Sequence, residues 1–442
     1  MVQTGPPFKE LIRRAILSWI TGSPGIFCLI LILCQLLAAA NLAADEEAPT
    51  DPLAAEDVKP LEKEAATSIE GTLERRDELL YDPRRRSLFP EFYYSLRKKQ
   101  LDWWHKLRVE VTLNYDLLTQ AYNDSDVSVG GTSGDLSLSG RWLILGQKFH
   151  KPIYLAFRLR DRRAYSEYAP SEIQGQTDLL WGTVDGFNNS GFQVPDFYLD
   201  QRLFEDKLSL RYGQFSIDSS VDKHSLRGAK RYFLNQAFSS NPTVNFPSYG
   251  AGFATNWKPN DRWEFTAGIS NIQGVEGDAQ VDFSLDSSAL FGTVQAAYNF
   301  KGLDGRGARL QLMGWGGDEN DVDEYRGGKG YSATLEHEGL EENEMYVVRY
   351  AQSYEEPTDT DVLLFVGHGK KIRGFDSFGV GVGAGRSSGT SLWQTVMETY
   401  YRWQVTKELI ISPDLQLIFG SDSVTGESKI RVVGGIRLGL VF

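Results

Sequence analysis

The sequence predicts an all-β protein, namely a transmembrane antiparallel up-and-down β-barrel of about 16 strands with a short helical or disordered N-terminal extension. Three observations lead to this fold class. The chain finishes on a strand of alternating apolar residues, it begins with a segment typical of secretion signals, and its strand connections alternate between short and long.

Residues 429–442 alternate between two faces of a strand, and one face near the end is wholly apolar, carrying Ile436, Leu438, Leu440 and Phe442. A membrane barrel needs such a strand, because its last strand presents apolar residues to lipid and pairs with the first strand. A terminal aromatic is also what the bacterial outer-membrane assembly machinery recognises, so Phe442 predicts that machinery and outer-membrane lipid as partners. When residues 429–442 are considered alone, the alternative to a barrel strand is the edge strand of a soluble β-sandwich.

Residues 1–43 are predicted to be a signal peptide. Basic residues precede a short apolar run at 26–37, and small residues follow it, with cleavage expected after Ala40 or Ala43. Cys28 and Cys34 both lie in this segment, so we expect a mature chain without disulfides or thiolate metal sites.

Composition narrows the class of membrane protein. Past residue 43 no run of 18 apolar residues occurs and mean hydropathy is −0.33, which excludes helical spans. The chain is rich in Gly, Tyr, Phe and Trp, as a barrel with aromatic girdles requires. Its net charge of −13 argues against nucleic-acid binding. The five histidines are scattered, so no metal and no cofactor is expected.

The part before the barrel, residues 44–102, reads as an acidic tail followed by a periplasmic helical extension. A basic and aromatic patch from Arg84 to Lys99 is interpreted as a surface helix that plugs or flanks the periplasmic mouth. The barrel itself is predicted over residues 103–442.

Sixteen strands are predicted, near 106–118, 134–146, 152–163, 196–204, 207–217, 249–258, 262–272, 290–300, 307–317, 330–338, 344–354, 360–370, 376–386, 392–404, 407–419 and 429–442. Connections after even strands are mostly short, whereas several after odd strands are long and polar, notably 164–195, 218–248 and 273–289. This asymmetry is typical of bacterial porins, whose short turns are periplasmic.

Alternation within the strands predicts the lumen. Arg158, Arg160 and Arg211 alternate with apolar residues, and a midplane arginine facing lipid costs about 2–4 kcal/mol, so these arginines are expected to line the pore. All glycines of 379–385 fall on one face, which indicates a place where the inner wall must stay clear of bulk.

Residues Gly385–Gly389 match the serine-hydrolase pattern G-x-S-x-G. That motif needs a strand-to-helix turn, and here it lies between two predicted strands. We therefore expect no enzyme.

Several ordered blocks resemble one family. Residues 203–215, 233–242, 245–253 and 263–269 together closely resemble the OprB family of carbohydrate-selective porins, and the resemblance extends from Trp103 to Phe442. It implies a sixteen-stranded barrel in the outer membrane of a Gram-negative-type bacterium, through which mono- and oligosaccharides diffuse passively into the periplasm.

Loop 218–248 joins strands 5 and 6, the position at which general porins fold a loop into the lumen. Its predicted constriction residues are Asp218, Asp222, Lys223, Arg227, Lys230, Arg231 and Asn235. Mixed charges and amides suit polyhydroxylated solutes. Phe233, Phe238 and Tyr249 are candidates for stacking on sugar rings, with packing of the loop against the wall as the alternative.

Two other function classes remain open at this point. One is a general or anion-preferring porin or an exporter channel, and the other is an outer-membrane enzyme. The sequence also leaves open whether the protein is a monomer or a homo-oligomer such as a trimer.

Overall fold

The computed structural model describes residues 68–80, 86–124, 126–145, 152–274, 280–281, 283–285, 289–320, 325–341, 343–373, 376–421 and 428–442. The predicted signal peptide at 1–43 and the acidic tail lie outside the described residues, so both stay predictions.

Sixteen antiparallel strands close into a single barrel, each paired with its neighbours in the chain. They are β1 (Val109–Asn123), β2 (Ser128–Leu145), β3 (Ile153–Ala164), β4 (Gly191–Leu203), β5 (Leu208–Phe215), β6 (Gly250–Trp257), β7 (Trp263–Asn271), β8 (Leu290–Lys301), β9 (Gly307–Gly317), β10 (Gly328–Glu338), β11 (Glu344–Tyr354), β12 (Thr360–Arg373), β13 (Asp376–Ser387), β14 (Trp393–Gln404), β15 (Leu409–Ser421) and β16 (Ser428–Val441). The predicted fold class is confirmed, with one observed strand for each predicted strand.

The largest boundary error is at β2, which begins at Ser128 rather than near residue 134. The segment from Ser128 to Ser133 has no apolar alternation, so the sequence pattern gave no strand signal there. It is a strand because it pairs residue by residue with the second half of β1, up to Asn123 opposite Ser128.

The barrel closes where β16 pairs with β1. The Phe442 amide donates to the Leu113 carbonyl at 2.8 Å, and the Leu113 amide donates to the Phe442 carbonyl at 2.9 Å. Phe442 thus makes both hydrogen bonds of the last residue pair in the closing ladder.

Side chains alternate between the two faces of the wall, as β14 illustrates. Trp393, Met397 and Trp403 point outward and are exposed, whereas Glu398 and Arg402 point inward and are buried. An apolar outer face and a polar inner face are what a barrel in lipid requires.

The two ends of the barrel differ in their connections. At one end, here the turn end, neighbouring strands are joined by short segments such as 204–207 and 258–262. The other end, here the loop end, carries the long connections 165–190 and 216–249.

Three described α-helices accompany the strands: α1 (Ile69–Leu80), α2 (Pro90–Leu107) and α3 (Gln236–Ser239). Helix α2 ends at Arg108, whose left-handed backbone redirects the chain into β1. No helix in the described part of the chain combines the length and the apolar character needed to cross a bilayer.

Candidate functional site

Two long connections fold into the interior of the barrel. We call residues 165–190, between β3 and β4, loop A, and residues 216–249, between β5 and β6, loop B. Gln120 on the inner face of β1 accepts a hydrogen bond from the Thr183 hydroxyl of loop A at 3.0 Å. Because the inward-facing strand residues hold the loops, the loops narrow the lumen.

Loop B is fastened to the wall by buried charges. Arg349 of β11 pairs with Asp222 at 3.1 Å, and both side chains are fully buried. Arg349 also donates to the Ser240 carbonyl at 2.8 Å. Three strands farther along the wall, Glu398 of β14 accepts from the Asn235 amide at 3.0 Å. Charge-assisted hydrogen bonds of this kind are about twice as strong as neutral ones, so loop B has a defined position.

Between these anchors, the inner wall at β13 carries glycines in place of larger side chains. A Cβ on Gly381 would lie 2.9 Å from the Phe238 ring, and one on Gly385 would lie 2.4 Å from the Trp181 ring. Both distances are too short for real contacts, so only glycine fits there. The interpretation that this face must stay clear of bulk is confirmed, and what occupies the space is the packed side chains of loops A and B.

Phe233 and Phe238 belong to this packing. Their ring centroids are 4.9 Å apart, Phe233 lies 5.0 Å from Tyr400, and Phe238 lies 5.5 Å from Phe365. Neither ring has exposed surface. The structure therefore gives them the packing role that was the alternative to sugar stacking.

Arg227 is also turned away from the lumen. It donates to the carbonyls of Val221 and Asp222 at 2.9 and 3.1 Å and pairs with the Asp218 carboxylate at 2.9 Å. Its side chain is 2% exposed. Its observed contacts therefore hold the fold of loop B.

Asn235 has a comparable place in the loop. Its side-chain oxygen caps α3 by accepting from the Ala237 amide at 3.0 Å, and it also accepts from the Trp181 indole at 2.6 Å. Arg231 is buried nearby, and its carbonyl accepts from Arg402 at 3.0 Å. Asn235 and Arg231 thus lie within the packed part of loop B.

A cavity of about 480 Å³ lies between the two loops and the inner wall. Five of the residues predicted from sequence line it: Arg158, Arg160, Asp218, Lys230 and Tyr249. Further lining residues were not predicted, among them Arg75, Asp116, Arg162, Asp185 and Asp196.

A row of arginines from β3 forms one side of the cavity. Arg160 donates to the Tyr249 hydroxyl at 2.6 Å, and its guanidinium lies 4.9 Å from the centroid of that ring. Arg158 pairs with Asp196 at 3.3 Å. Arg162 continues the same alternation, so extending the pattern of Arg158 and Arg160 by two residues predicts it.

Lys230 of loop B completes this side of the cavity. Its ammonium lies 2.9 Å from Asp135 and 3.3 Å from Asp116, which face each other across the β1–β2 ladder. Like charges in directly opposed positions repel, and Lys230 offsets that repulsion together with Arg162 and Arg75. Cross-strand register brings these aspartates together, which the sequence alone does not reveal.

The charges of the cavity nearly balance. Six basic and five acidic side chains of the described chain line it. Burial and the nearby Asp218 carboxylate raise the pKa of Asp185 above its ordinary value. The lumen is therefore dense in hydrogen-bond donors and acceptors without a strong net potential.

Arg211 and Lys223 lie elsewhere, in a smaller cavity of about 40 Å³ among β4, β5 and β6. Arg211 pairs with Glu70 of α1 at 3.3 Å and lies 5.4 Å from the Tyr198 ring centroid. The structure thus separates these two from the other predicted constriction residues.

Helix α1 is a part of the lumen that the sequence did not suggest. Its Ile69 and Leu73 are buried against inward residues that include Tyr198 and Phe215, and Arg75 pairs with Asp116 at 3.2 Å. The apolar positions of this segment form only a thin stripe, which gives no sign of where it docks. Among the described residues, no group of three His, Cys, Asp or Glu is arranged to hold a metal ion.

Comparison with known proteins agrees with this architecture. The family described as "Carbohydrate-selective porin, OprB family" matches residues 359–442. The high-pH structure of Pseudomonas putida OprB is similar with a TM-score of 0.60 and 15% identity, covering 81% of this chain and 99% of that chain. The low-pH structure of the same protein gives a TM-score of 0.50 at the same identity and coverage. No curated protein sequence matches the chain.

At 15% identity the structural likeness establishes the fold alone, and it agrees with the sixteen-stranded barrel described above. The family match covers the stretch from just before β12 to the end of β16. Over residues 359–442, the family match confirms the resemblance to the OprB family of carbohydrate-selective porins that the sequence predicted.

Proposed function

We propose that this protein is a porin of the bacterial outer membrane, through which carbohydrates diffuse passively into the periplasm. The observation that carries the proposal is the near-balanced polar cavity between loop B and the arginine row of β3. Its residues offer donors and acceptors at many positions, which suits solutes that carry hydroxyl groups all round a ring. The family that matches residues 359–442 is named for carbohydrate selectivity.

The balance of charge argues against the anion-preferring alternative. Arg158, Arg162, Lys230 and Arg75 each pair with an aspartate, whereas Arg160 contacts the uncharged Gln193 and Tyr249. Paired charges cancel at the distance of a passing ion but still hydrogen-bond a neutral solute in contact with them. The pore is thus expected to favour neutral sugars.

Tyr249 is the aromatic residue best placed to contact a sugar. It is half-buried, lines the cavity and is held by the Arg160 hydrogen bond. An aromatic ring fixed at a polar lumen wall can stack on the apolar face of a pyranose. Binding is expected to be weak, since flux requires easy release.

Permeation into liposomes tests the proposal. Vesicles that contain the purified protein should swell faster in mono- and disaccharides than in uncharged non-sugar solutes of matched size. Equal rates for both solute classes would contradict the carbohydrate assignment and leave a general porin. A current dominated by anions would favour the anion-preferring alternative instead.

A further inference from the structure

Helix α2 carries an apolar stripe that the described residues leave largely uncovered. Phe89, at the cap of the helix, and Phe92, Leu96, Trp103 and Leu107 are spaced three, four, seven and four residues apart, which places them on one face. Phe89, Phe92 and Leu107 are 54%, 56% and 58% exposed, and Trp103 is 39% exposed. Five large apolar side chains along one helix face form a patch that water does not favour.

The stripe lies between two sides of the helix that have different environments. Tyr93 and Gln100 are buried against the barrel, where Lys407 lies over the Tyr93 ring at 5.5 Å and Gln100 donates to the Val111 carbonyl at 3.3 Å. Ser95 and Asp102 lie on a third, polar face and are exposed. The helix is therefore fixed in its rotation by the barrel, with the apolar stripe on one side and the polar face on the other.

The stripe continues the outer face of the barrel. The Phe92 ring packs edge-on against the Phe442 ring, with centroids 5.7 Å apart. Phe442 pairs with Leu113, an outward residue of β1 that is 40% exposed. The stripe and the outward wall thus form one apolar surface at the turn end of the barrel.

The charged residues of helix α2 support lipid as the partner of the apolar stripe. Lys98, Lys99 and Lys106 are exposed on the helix, against acidic Glu91 and Asp102. Helices with an apolar face that carries Trp and Phe and a polar face rich in Lys lie in the membrane interface, where the cations meet anionic headgroups.

We propose that α2 is an interfacial helix whose apolar stripe is embedded in the periplasmic leaflet of the membrane, at the boundary between headgroups and acyl chains. This inference uses the membrane placement of the proposed function and is independent of sugar selectivity. It assigns helix α2 to the lipid surface rather than to the periplasmic water.

Spin-label accessibility tests the proposal on the full chain, with Cys28 and Cys34 replaced by serine. Single cysteines Phe92→Cys and Trp103→Cys report the stripe, and Ser95→Cys and Asp102→Cys, on the polar face of the same helix, are matched controls. Ile436→Cys, outward on β16, is the lipid reference. Each variant is reconstituted in vesicles of phosphatidylethanolamine and phosphatidylglycerol, and collision rates with oxygen and with a water-soluble nickel chelate are measured.

We expect the ratio of oxygen to nickel collisions at positions 92 and 103 to approach that at position 436 and to exceed that at 95 and 102 several-fold. Nickel collision rates at 92 and 103 equal to those at 95 and 102 would overturn the proposal. Shielding of 92 and 103 from both reagents would also overturn it, since protein rather than lipid would then cover the stripe. A high nickel collision rate at position 436 would show that the barrel is not in the membrane, and the proposed function would fail. A high nickel collision rate at positions 92 and 103 alone would overturn only this inference.

Discussion

Arg349 on β11 and Asp222 on loop B form an ion pair of 3.1 Å in which neither side chain has exposed surface. The pair joins the barrel wall to the loop that narrows it. Removing one partner of a buried pair leaves an uncompensated charge, which is far more costly than loss of a surface pair. The position of loop B is thus built into the charge pattern of the barrel interior.

Replacing Arg349 by alanine should release loop B. We expect a loss of about 3–5 kcal/mol in the free energy of unfolding, because the Asp222 carboxylate stays buried without its cation. Urea unfolding in detergent, followed by tryptophan fluorescence, measures the change, and proteolysis reports exposure of loop B.

The control is Arg386→Ala, which breaks the partly exposed pair with Asp361. Its cost should be much smaller, because partly exposed charges stay solvated when their pair is broken. Equal costs for the two variants would show that loop B does not depend on the buried pair.

The glycine wall gives a second prediction, for Gly385→Ala. The added Cβ would lie 2.4 Å from the Trp181 ring, so loop A has to shift, at roughly 1–3 kcal/mol for overpacking. Single-channel recordings should show altered conductance and more current noise. Gly434→Ala is the matched control, because that Cβ points into open space. Indistinguishable recordings from both variants would contradict the packing account.

Ion preference should depend on mildly acidic pH through Asp185. Burial and the neighbouring Asp218 raise its pKa, so Asp185 takes up a proton at a higher pH than an ordinary aspartate as the solution is acidified. Loss of its negative charge makes the lumen more positive, and the reversal potential in a salt gradient should move toward anion preference.

Two variants separate this effect from other titrations. Asp185→Asn should abolish the part of the shift that occurs above the ordinary carboxyl range. Asp304→Asn should leave the shift intact, since a hydrogen bond from the Arg306 amide holds the pKa of Asp304 below its usual value. An unchanged pH profile in Asp185→Asn would refute the assignment.

Phe442→Ala should slow barrel closure in cells. The substitution keeps the main-chain pairing with Leu113 but removes the ring that contacts Phe92. We expect less heat-modifiable barrel in the outer-membrane fraction, measured by electrophoresis of unboiled samples. Substitution of Phe300, an aromatic near the turn end of β8, controls for general loss of apolar surface. Normal assembly of Phe442→Ala would argue against a recognition role for this residue.

The fold was predictable because membrane barrels repeat one simple rule. Period-two alternation and turn residues located every strand, and the error at β2 arose where Gly and Ser replace the apolar alternation. The same alternation predicted Arg158 and Arg160 at the lumen. Lys230 and Tyr249 were predicted there because of their place in or beside a long loop. The sequence could not show which cations of loop B face the cavity. Arg227 and Arg231 are buried, yet nothing in the chain distinguishes a buried arginine from an exposed one. Nor could it place α1 in the lumen, because only tertiary contacts fix that position.

If loop B forms the constriction that selects sugars, its removal must change both conductance and sugar response, and single-channel current through a loop-deleted barrel measures both. Residues 224–240 are replaced by a short glycine-serine linker, and Lys230→Ala serves as the minimal variant in which the loop stays anchored. The account predicts that the deletion raises conductance severalfold and abolishes the decrease in current caused by added sugar, whereas Lys230→Ala mainly changes ion preference. A deletion variant with the conductance and sugar response of the intact protein would contradict the account.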